Sequence, residues 1–444
     1  MRLWLPPTLL AISRGATRIL AAASLAVVAT LIVVPALADK PETALDKTIS
    51  TTVSAIPIDF DREHPERKEF GKLIFRGGLN LFAKSIYFGG YSALALDPTG
   101  TKLLAISDAG SWMKADLDYN GRELKGLGNV TLGPLLGQNG KPLLADQERD
   151  SEGMALASGT PEAGTAFISF ERKHRIARYP FTADQFGPPS GTIPLPPGAK
   201  RMEANRGIEA LAMITAGRLK GTLVAFPERL PDKNGNLTGW LIGGPSPGTI
   251  ALKPIEGFDI TDAAALPDGG IVILERRFRY SEGIKMRIRR VSPAELKPGA
   301  VITGEVLLEA TDSLNIDNME AIAVHRRASG ETVLTLMSDD NFSPLQRTLI
   351  MQFTLPDATA AAASAPAANE DRTPEHRAAA TTSPSEAVHG KLERCGGGTG
   401  ICEPSHTDFG AGEVGPAREG KYGETAGASG RPKPRRRGAS RSGA

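Results

Sequence analysis

A short phrase that recurs five times between residues 39 and 356 constrains this chain more than any other feature of its sequence. Each copy has a polar or acidic residue, then small and apolar residues, then a turn and an apolar strand. The second residues of the copies lie 53 to 60 residues apart, and they are Ser92, Glu152, Glu209, Asp262 and Glu320. A repeat of this length built from short strands is typical of a β-propeller, with one blade for each copy.

A second apolar strand follows each copy and ends in an acidic residue. These acids are Asp108, Glu171, Glu228, Glu275 and Asp339. Near-continuous apolar runs of this kind fit inner strands that are buried between neighbouring blades. The sequence therefore predicts an all-β fold with five blades, in which many of the 49 glycines and 33 prolines form turns.

The last copy has only three clear strands, so closure of the ring needs a strand from elsewhere. Residues 53–60 can supply an outer strand, and such an exchange also removes an exposed sheet edge. The hairpin-like residues 72–81 are then left over. A sixth, partial blade is therefore the alternative to a count of five.

The N-terminus of the chain has the features of an export signal. Three arginines precede an apolar run over residues 19–34, and an A-x-A sequence at residues 36–38 predicts cleavage before Asp39. The alternative is an uncleaved membrane anchor, and in both cases we expect the body to lie outside the cytoplasm. No second apolar segment is long enough to span a membrane.

Residues 357–444 are rich in Ala, Ser, Thr, Pro, Gly and charged groups, a composition that predicts disorder. Cys395 and Cys402 enclose a Gly-rich loop there and could pair in an oxidising compartment. The last fourteen residues carry six basic side chains and no acid, which suits a solvated tail or contact with anionic lipid. We therefore divide the chain into a signal at 1–38, a propeller at 39–356 and a tail at 357–444.

Composition and motifs exclude several classes of protein. A net charge of +2 and the lack of a basic, aromatic-rich face argue against binding of nucleic acid. Two cysteines exclude a disulfide-dense scaffold and a Cys-rich zinc protein. Residues 244–248 match G-x-S-x-G by letter, but their two prolines prevent the helix that a nucleophile elbow requires. The chain also has no P-loop.

The repeated acids point to a metal site. Because the innermost strands of a propeller line one channel, we expect Glu152, Glu209, Asp262 and Glu320 to converge at its mouth. Carboxylates that share a small space repel one another, so they must be protonated, paired or metal-bound. Oxygen ligands of this kind suit Ca²⁺ better than zinc. The alternative is that each acid caps a turn between strands.

Basic side chains form a second theme. Arg172, His174 and Arg276 closely follow second strands, and Arg206 lies three residues before Glu209. Guanidinium groups bind phosphate in a bidentate manner. These four residues therefore predict a phosphorylated or acidic substrate, unless they pair with the neighbouring acids.

Several stretches of the chain, taken together, resemble a known family. They are residues 88–94 (FGGYSAL), 106–110 (ISDAG), 151–155 (SEGMA), 206–210 (RGIEA), 317–321 (DNMEA) and 338–342 (SDDNF). They are similar to the phytase-like domain, named for an "esterase-like activity of phytase", of exported bacterial proteins, over roughly residues 70–355. The resemblance implies a β-propeller related to Ca²⁺-dependent propeller phytases. Ser92 departs from the acidic type, so Asp108 would serve in that blade.

The leading interpretation is an exported Ca²⁺-dependent hydrolase that favours phosphoric over carboxylic esters. The predicted metal ligands are Glu152, Glu209, Asp262, Glu320, Asp108 and Asp339. The predicted catalytic residues are Glu209, Glu320 and Asp108, and the sequence does not decide which of them is the base. A lactonase or carboxylesterase and a non-catalytic ligand-binding propeller are the alternatives. We expect a monomer in the periplasm or outside the cell, acting on a small molecule.

Overall fold

A computed structural model describes Pro41 and residues 44–356; the predicted export signal, the tail and Cys395 and Cys402 lie outside the described residues. The described chain forms five mainly antiparallel sheets, each of which is one blade. Blade 1 runs outward through β5 (Tyr91–Leu96), β6 (Lys102–Ser107), β7 (Ser111–Asn120), β8 (Glu123–Pro134) and β1 (Ile49–Ser50). Blade 2 contains β9 (Ser151–Thr160), β10 (Ala163–Phe170), β11 (Arg175–Phe181) and β12 (Gly191–Ile193).

The next two blades repeat this pattern. Blade 3 contains β13 (Ile208–Met213), β14 (Leu223–Pro227), β15 (Leu237–Ile242), β16 (Gly248–Leu252) and, parallel to β16, β20 (Val301–Ile302). Blade 4 contains β17 (Asp259–Ala265), β18 (Ile271–Arg279), β19 (Gly283–Val291) and β21 (Glu305–Thr311). Helical structure within the described residues is limited to α1 (Asp146–Arg149) and two 3₁₀ turns, Pro197–Arg201 and Gly217–Leu219.

Blade 5 closes the ring with strands from both ends of the described chain. Its first three strands are β22 (Met319–Arg326), β23 (Thr332–Ser338) and β24 (Thr348–Leu355). They are followed by β4 (Leu73–Ala83), which pairs with β24, and by β2 (Val53–Ile58) at the outer edge. The short β3 (Glu69–Phe70) also pairs with β4.

The prediction of five blades is confirmed, and the alternative of six is wrong. Residues 72–81 are not left over, because β4 is the fourth strand of blade 5 and lies directly beside β24. The segment predicted to supply the missing strand does join this blade, but one place further out. The sequence does not show whether β2 or β4 lies next to β24, since both strands have the length and apolar content to pair with it.

Five clusters of buried apolar side chains hold the ring together, one at each interface between neighbouring blades. The inner strands β5, β9, β13, β17 and β22 each contact the inner strands of both neighbours. Sheets that are packed on both faces require apolar residues at successive positions, which explains the near-continuous apolar runs of the sequence. The same packing fixes the first residues of the inner strands around one end of the channel.

Close approach between inner strands gives a test of this packing. A Cβ atom at Gly153 in β9 would lie 2.2 Å from the carbonyl oxygen of Glu209 in the neighbouring blade. We expect Gly153→Ala to lower the free energy of unfolding by about 1–3 kcal/mol, because the backbone of β13 must move. Gly128→Ala in β8 is the matched control, since its Cβ would meet only the Asp118 side chain at 3.5 Å. Urea unfolding that gives equal losses for the two variants would contradict the described ring.

Candidate functional site

Each inner strand begins with a β-bulge, which inserts one extra residue opposite the second strand. In blade 1, Tyr91 pairs with Ser107 and Ala93 with Ile106, so Ser92 is the extra residue. Equivalent register shifts occur in the other four blades. Because a bulge turns a side chain away from the regular alternation of a strand, it can aim the same position of every blade at the channel mouth. We call the five residues the bulge ring, and they are Ser92, Glu152, Glu209, Thr261 and Glu320.

A second set of five residues lies where the second strand of each blade ends. In four blades, the backbone N–H of this residue donates to the carbonyl just before the inner strand, as Asp108 does to Gly90 at 2.9 Å and Glu228 does to Gly207 at 3.0 Å. In blade 4 the equivalent residue is Arg276, which lies opposite Asp259 in the register of the two strands. We call this set the strand-end ring, and its members are Asp108, Glu171, Glu228, Arg276 and Asp339.

Blade 4 is offset by one residue from the alignment of the sequence repeats. Its bulge places Thr261 in the ring, whereas the sequence placed Asp262 there. The carboxylate of Asp262 is fully buried and accepts hydrogen bonds from the backbone N–H groups of Ala263 at 2.7 Å and Ile322 at 2.8 Å. A third comes from Leu211, so Asp262 links β17 to the inner strands on both sides. These contacts explain the acid at position 262 without a metal ion.

The same offset removes Glu275 from the mouth. Its side chain is fully buried inside blade 4, where the Nε atom of Arg289 donates to it at 2.7 Å. The next residue, Arg276, therefore takes the strand-end position that an acid occupies in every other blade. The sequence repeat does not show this offset. Both Glu171-Arg172 and Glu275-Arg276 follow an apolar strand, but the strand register places Glu275 one residue earlier than Glu171.

Seven carboxyl groups and one guanidinium group thus share the channel mouth. Burial raises the pKa of Glu209 well above its usual range, and the neighbouring Glu152 and Glu320 raise it further. Burial also raises the pKa of Asp339, with Asp108 and Glu320 adding repulsion. These mutual effects show that the predicted residues Glu209, Glu320, Asp108, Asp339 and Glu152 do come together.

Arg276 is the cation at the centre of this charge. One terminal nitrogen lies 3.3 Å from Glu320 Oε1, and the other donates to the side-chain oxygen of Asn318. Burial lowers the pKa of the guanidinium, but attraction to Glu320 and Glu228 outweighs it and the net shift is upward. For Glu320, burial raises the carboxyl pKa to about 7 despite the stabilising charge of Arg276.

Three acids of blade 2 lie close to one another. Asp150, Glu152 and Glu171 each offer a carboxylate oxygen within 4.8 Å of the others. Burial raises the pKa of Glu171 to about 7, against the effect of a 3.1 Å hydrogen bond from the backbone N–H of Gly207. Of these three residues, the sequence predicts only Glu152 as a metal ligand.

The other predicted substrate-binding residues lie around the mouth but contact protein groups. Arg172 donates through Nε to Asp150 at 2.5 Å. Arg206 lies 3.4 Å from Glu203 and 3.8 Å from Glu228. His174 lies with its Nε2 atom 2.9 Å from the carbonyl oxygen of Glu203. Of the four, Arg276 is itself a ring member, and Arg206 reaches the rings through Glu228.

Comparison with known proteins identifies the family. A family model described as "Phytase-like: Esterase-like activity of phytase" matches residues 86–342, which is more than half of the chain and includes both rings. The chain belongs to the phytase-like family. No curated protein matches the chain. It is similar to a solved structure of a putative oxidoreductase (glucose dehydrogenase) from Thermus thermophilus, with 13% identity, a TM-score of 0.30, and coverage of 59% of this chain and 97% of that chain.

The structure of the phytase-like domain explains why the FGG stretch carries glycine at position 90. Gly90 has a φ of +67°, and a Cβ there would lie 2.4 Å from Asp108 Oδ1. The N–H of Gly90 donates to Asp340 Oδ1 at 3.0 Å. The FGG and SDD stretches therefore form one contact at the mouth, between blades 1 and 5.

Three acids of the phytase-like site were not assigned from the sequence, namely Asp150, Glu171 and Glu228. The sequence repeat places Glu171 and Glu228 at strand ends, in the same repeat position as Asp108 and Asp339. The repeat itself could have identified both as site residues, because the same position carries an acid in four blades. Asp150 had no repeat signal, because the equivalent residues in other blades include Gly90 and Gly207.

The raised pKa values predict how stability depends on pH when no cation is bound. Between pH 4.5 and 7, the unfolded chain ionises Glu171 and Glu320 while the folded chain keeps them protonated, so the folded state binds more protons. We therefore expect the free energy of unfolding in EDTA to fall as pH rises through this window. The double variant Glu171→Gln/Glu320→Gln should show a shallower fall and greater stability than the parent at pH 8.

Glu123→Gln is the control for this experiment, because its carboxylate pairs with Lys125 at the turn between β7 and β8. It should retain the pH dependence of the parent in urea unfolding. An identical slope in the double variant would show that the two ring carboxyls are not the groups that titrate.

Proposed function

We propose that this protein is an exported, Ca²⁺-dependent ester hydrolase whose preferred substrates are phosphoric esters. One observation carries the proposal: seven carboxyl groups surround a single arginine in two rings at one channel mouth. Such an excess of acid is costly without counter-charge, and phosphoric esters are substrates that cations can bridge to carboxylates.

The residues present fit a hard divalent cation. Ca²⁺ takes six to eight oxygen ligands in flexible geometry, and carboxylates are its preferred donors. Glu152 and Glu171 would hold it with Asp150, and Glu209 lies close enough to Glu152 for the two carboxyl groups to repel each other. When bound, the cation would neutralise the charge on a phosphate and lower the pKa of a water molecule.

The side chains of the rings can perform the remaining chemistry. Glu320 has a carboxyl pKa of about 7, so near neutral pH it can accept the proton of a water molecule as the water oxygen attacks phosphorus. The bond from phosphorus to the ester oxygen breaks, and the leaving alcohol takes a proton. Arg276 would bind the phosphate oxygens and stabilise the charge that develops on them. Glu209, with its strongly raised pKa, is a source for that proton.

A carboxylic ester or lactone is the second candidate substrate, and a particular observation favours it. Arg172 and Arg206 contact acids at 2.5 Å and 3.4 Å, and Arg276 lies 3.3 Å from Glu320, so each predicted phosphate ligand with a guanidinium group already faces a carboxyl group. A neutral ester would need less positive charge at the mouth. The metal-supported attack of water would be the same.

Export agrees with the proposed cation. Calcium sites of extracellular modules work at 10⁻⁴ to 10⁻³ M, a concentration that is available outside the cytoplasm. No helix among the described residues is long and apolar enough to cross a membrane. The monomeric state and the small-molecule substrate remain part of the proposal.

Hydrolysis assays test the proposal and separate its two substrate classes. We expect p-nitrophenyl phosphate and phytate to be hydrolysed with Ca²⁺ and not with EDTA. Arg276→Gln should lower phosphatase kcat/KM by about 100-fold or more, because a charged contact to the transition state is lost. If aryl esters or lactones are the true substrates, the same variant should lose less than about tenfold.

Arg178→Gln is the matched control, since Arg178 is an exposed arginine of β11 that stacks over Phe167 away from the rings. It should keep the parent's activity. Glu152→Gln should raise the Ca²⁺ concentration needed for half-maximal activity. A folded protein that hydrolyses neither class with or without Ca²⁺ would overturn the hydrolase proposal and favour a binding propeller.

A further inference from the structure

A large open groove lies on the face of the propeller opposite the two rings. The rings occupy the starts of the inner strands, whereas this groove is formed at the far ends of the strands of blades 1 and 5. Its volume is about 1230 Å³. It lies between the β5–β6 turn at residues 98–101 and the β22–β23 turn at residues 326–331, with Arg122, Thr354 and Pro356 also on its wall.

The charge of the groove is strongly positive. Arg122, Arg326 and Arg327 line it, and Arg76 lies behind Glu331 at its base. Among the described residues that line the groove, Glu331 is the acidic one. Asp97 lies nearby, and its carboxylate oxygens accept hydrogen bonds from backbone N–H groups of the adjacent turn. Four guanidinium groups against two carboxylates leave an excess of two positive charges.

Glu331 holds two of these arginines in place rather than neutralising the groove. It lies 2.6 Å from a terminal nitrogen of Arg76, and it also pairs with Arg122 and accepts from the hydroxyl of Thr354. Arg76 is 7% exposed and also donates to the carbonyl oxygen of Arg122 at 2.7 Å. A buried arginine that is already held in place suits an anion-binding site, because its side chain loses little conformational entropy when a ligand binds.

The other two arginines, Arg326 and Arg327, form no ion pair with any described acid. Arg326 donates through Nε to the carbonyl oxygen of Gly330 at 2.9 Å, which fixes its direction. Arg327 stacks on the ring of Tyr119 with 5.6 Å between its Cζ atom and the ring centroid. In both cases the terminal nitrogens remain available as donors to a ligand.

Buried polar atoms beneath the groove also lack partners. Arg76 Nε, His325 Nδ1 and Gln352 Oε1 are buried without a hydrogen bond to any described residue. Most buried polar groups in proteins are hydrogen-bonded, and a group that is not calls for an ordered water or ligand. Arg76, His325 and Gln352 do not line the groove, so these atoms mark a polar layer beneath it that ordered water can satisfy.

We propose that this groove is a second binding site, for a ligand that carries phosphate groups. Four arginines and no lysine line or support it, and the planar guanidinium fork matches the oxygens of a phosphate. Its volume exceeds that of most small-molecule sites, so it can accept a ligand with more than one phosphate. The site acts apart from the rings, which lie at the other end of the inner strands and carry the opposite charge.

Titration calorimetry of the full chain in EDTA tests this site, because the chelator removes any cation that supports phosphate binding at the rings. We expect pyrophosphate to bind more tightly than inorganic phosphate, and both to weaken as salt rises. Arg326→Gln and Arg327→Gln should each weaken pyrophosphate binding about tenfold, the usual loss for one charge-assisted contact. Arg178→Gln, with the same charge change elsewhere, should leave binding unchanged, and Arg276→Gln measures any pyrophosphate that the rings hold without a cation.

Two outcomes overturn the proposal: no pyrophosphate binding in EDTA, or binding that is lost with Arg276→Gln and kept with Arg326→Gln. The source of the phosphate is decided by flotation with vesicles of phosphatidylglycerol and of phosphatidylcholine. Binding to the anionic vesicles that is lost in the Arg326→Gln variant assigns the site to a lipid headgroup. Pyrophosphate binding without vesicle binding assigns it to a soluble phosphate compound. Loss of ester hydrolysis is not among these readouts, so this proposal and the proposed function can fail separately.

Discussion

Repulsion among seven carboxyl groups is the interaction on which the properties of this site depend. The groups cannot move apart, because each is attached to a backbone position that a bulge or a strand end fixes in every blade. The apolar clusters between blades hold these positions around one mouth. Protons, the guanidinium of Arg276 and bound cations are the three ways to relieve the repulsion. The fold therefore builds an acidic site in which protonation would compete with the proposed cation.

Blade 4 breaks the five-fold pattern, and its offset of one residue has two consequences. Asp262 takes a position that is alanine or glycine in other blades, and its carboxylate uses backbone N–H groups of three inner strands. Arg276 takes a position that is acidic in other blades, and it places a positive charge among the rings. A ring of identical blades could bind cations, but it would present no fixed donor to an anionic substrate. The offset supplies a guanidinium that would serve the proposed phosphoric ester.

Much of this arrangement could be predicted from the sequence, and the parts that could not have physical reasons. The spacing of Glu152, Glu209 and Glu320 was sufficient for the blade count and for their convergence, because one repeat position maps to one place on the channel. The spacing was not sufficient to place Asp262, since the sequence does not show which of two neighbouring residues forms the β-bulge. The order of β4 and β2 in blade 5 depends on pairing across nearly the whole described chain, which no local pattern records.

The two faces of the propeller differ in charge, with acids at the starts of the inner strands and arginines at the far ends. On the acidic face, the proposed function requires a cation to replace protons and relieve the repulsion. Diffraction from crystals grown with Ca²⁺ at pH 7.5 tests it most directly. We expect an ion with carboxylate oxygens of Glu152 and Glu171 at about 2.3–2.6 Å. Well-ordered rings with no ion at this mouth, in millimolar Ca²⁺, would contradict the account.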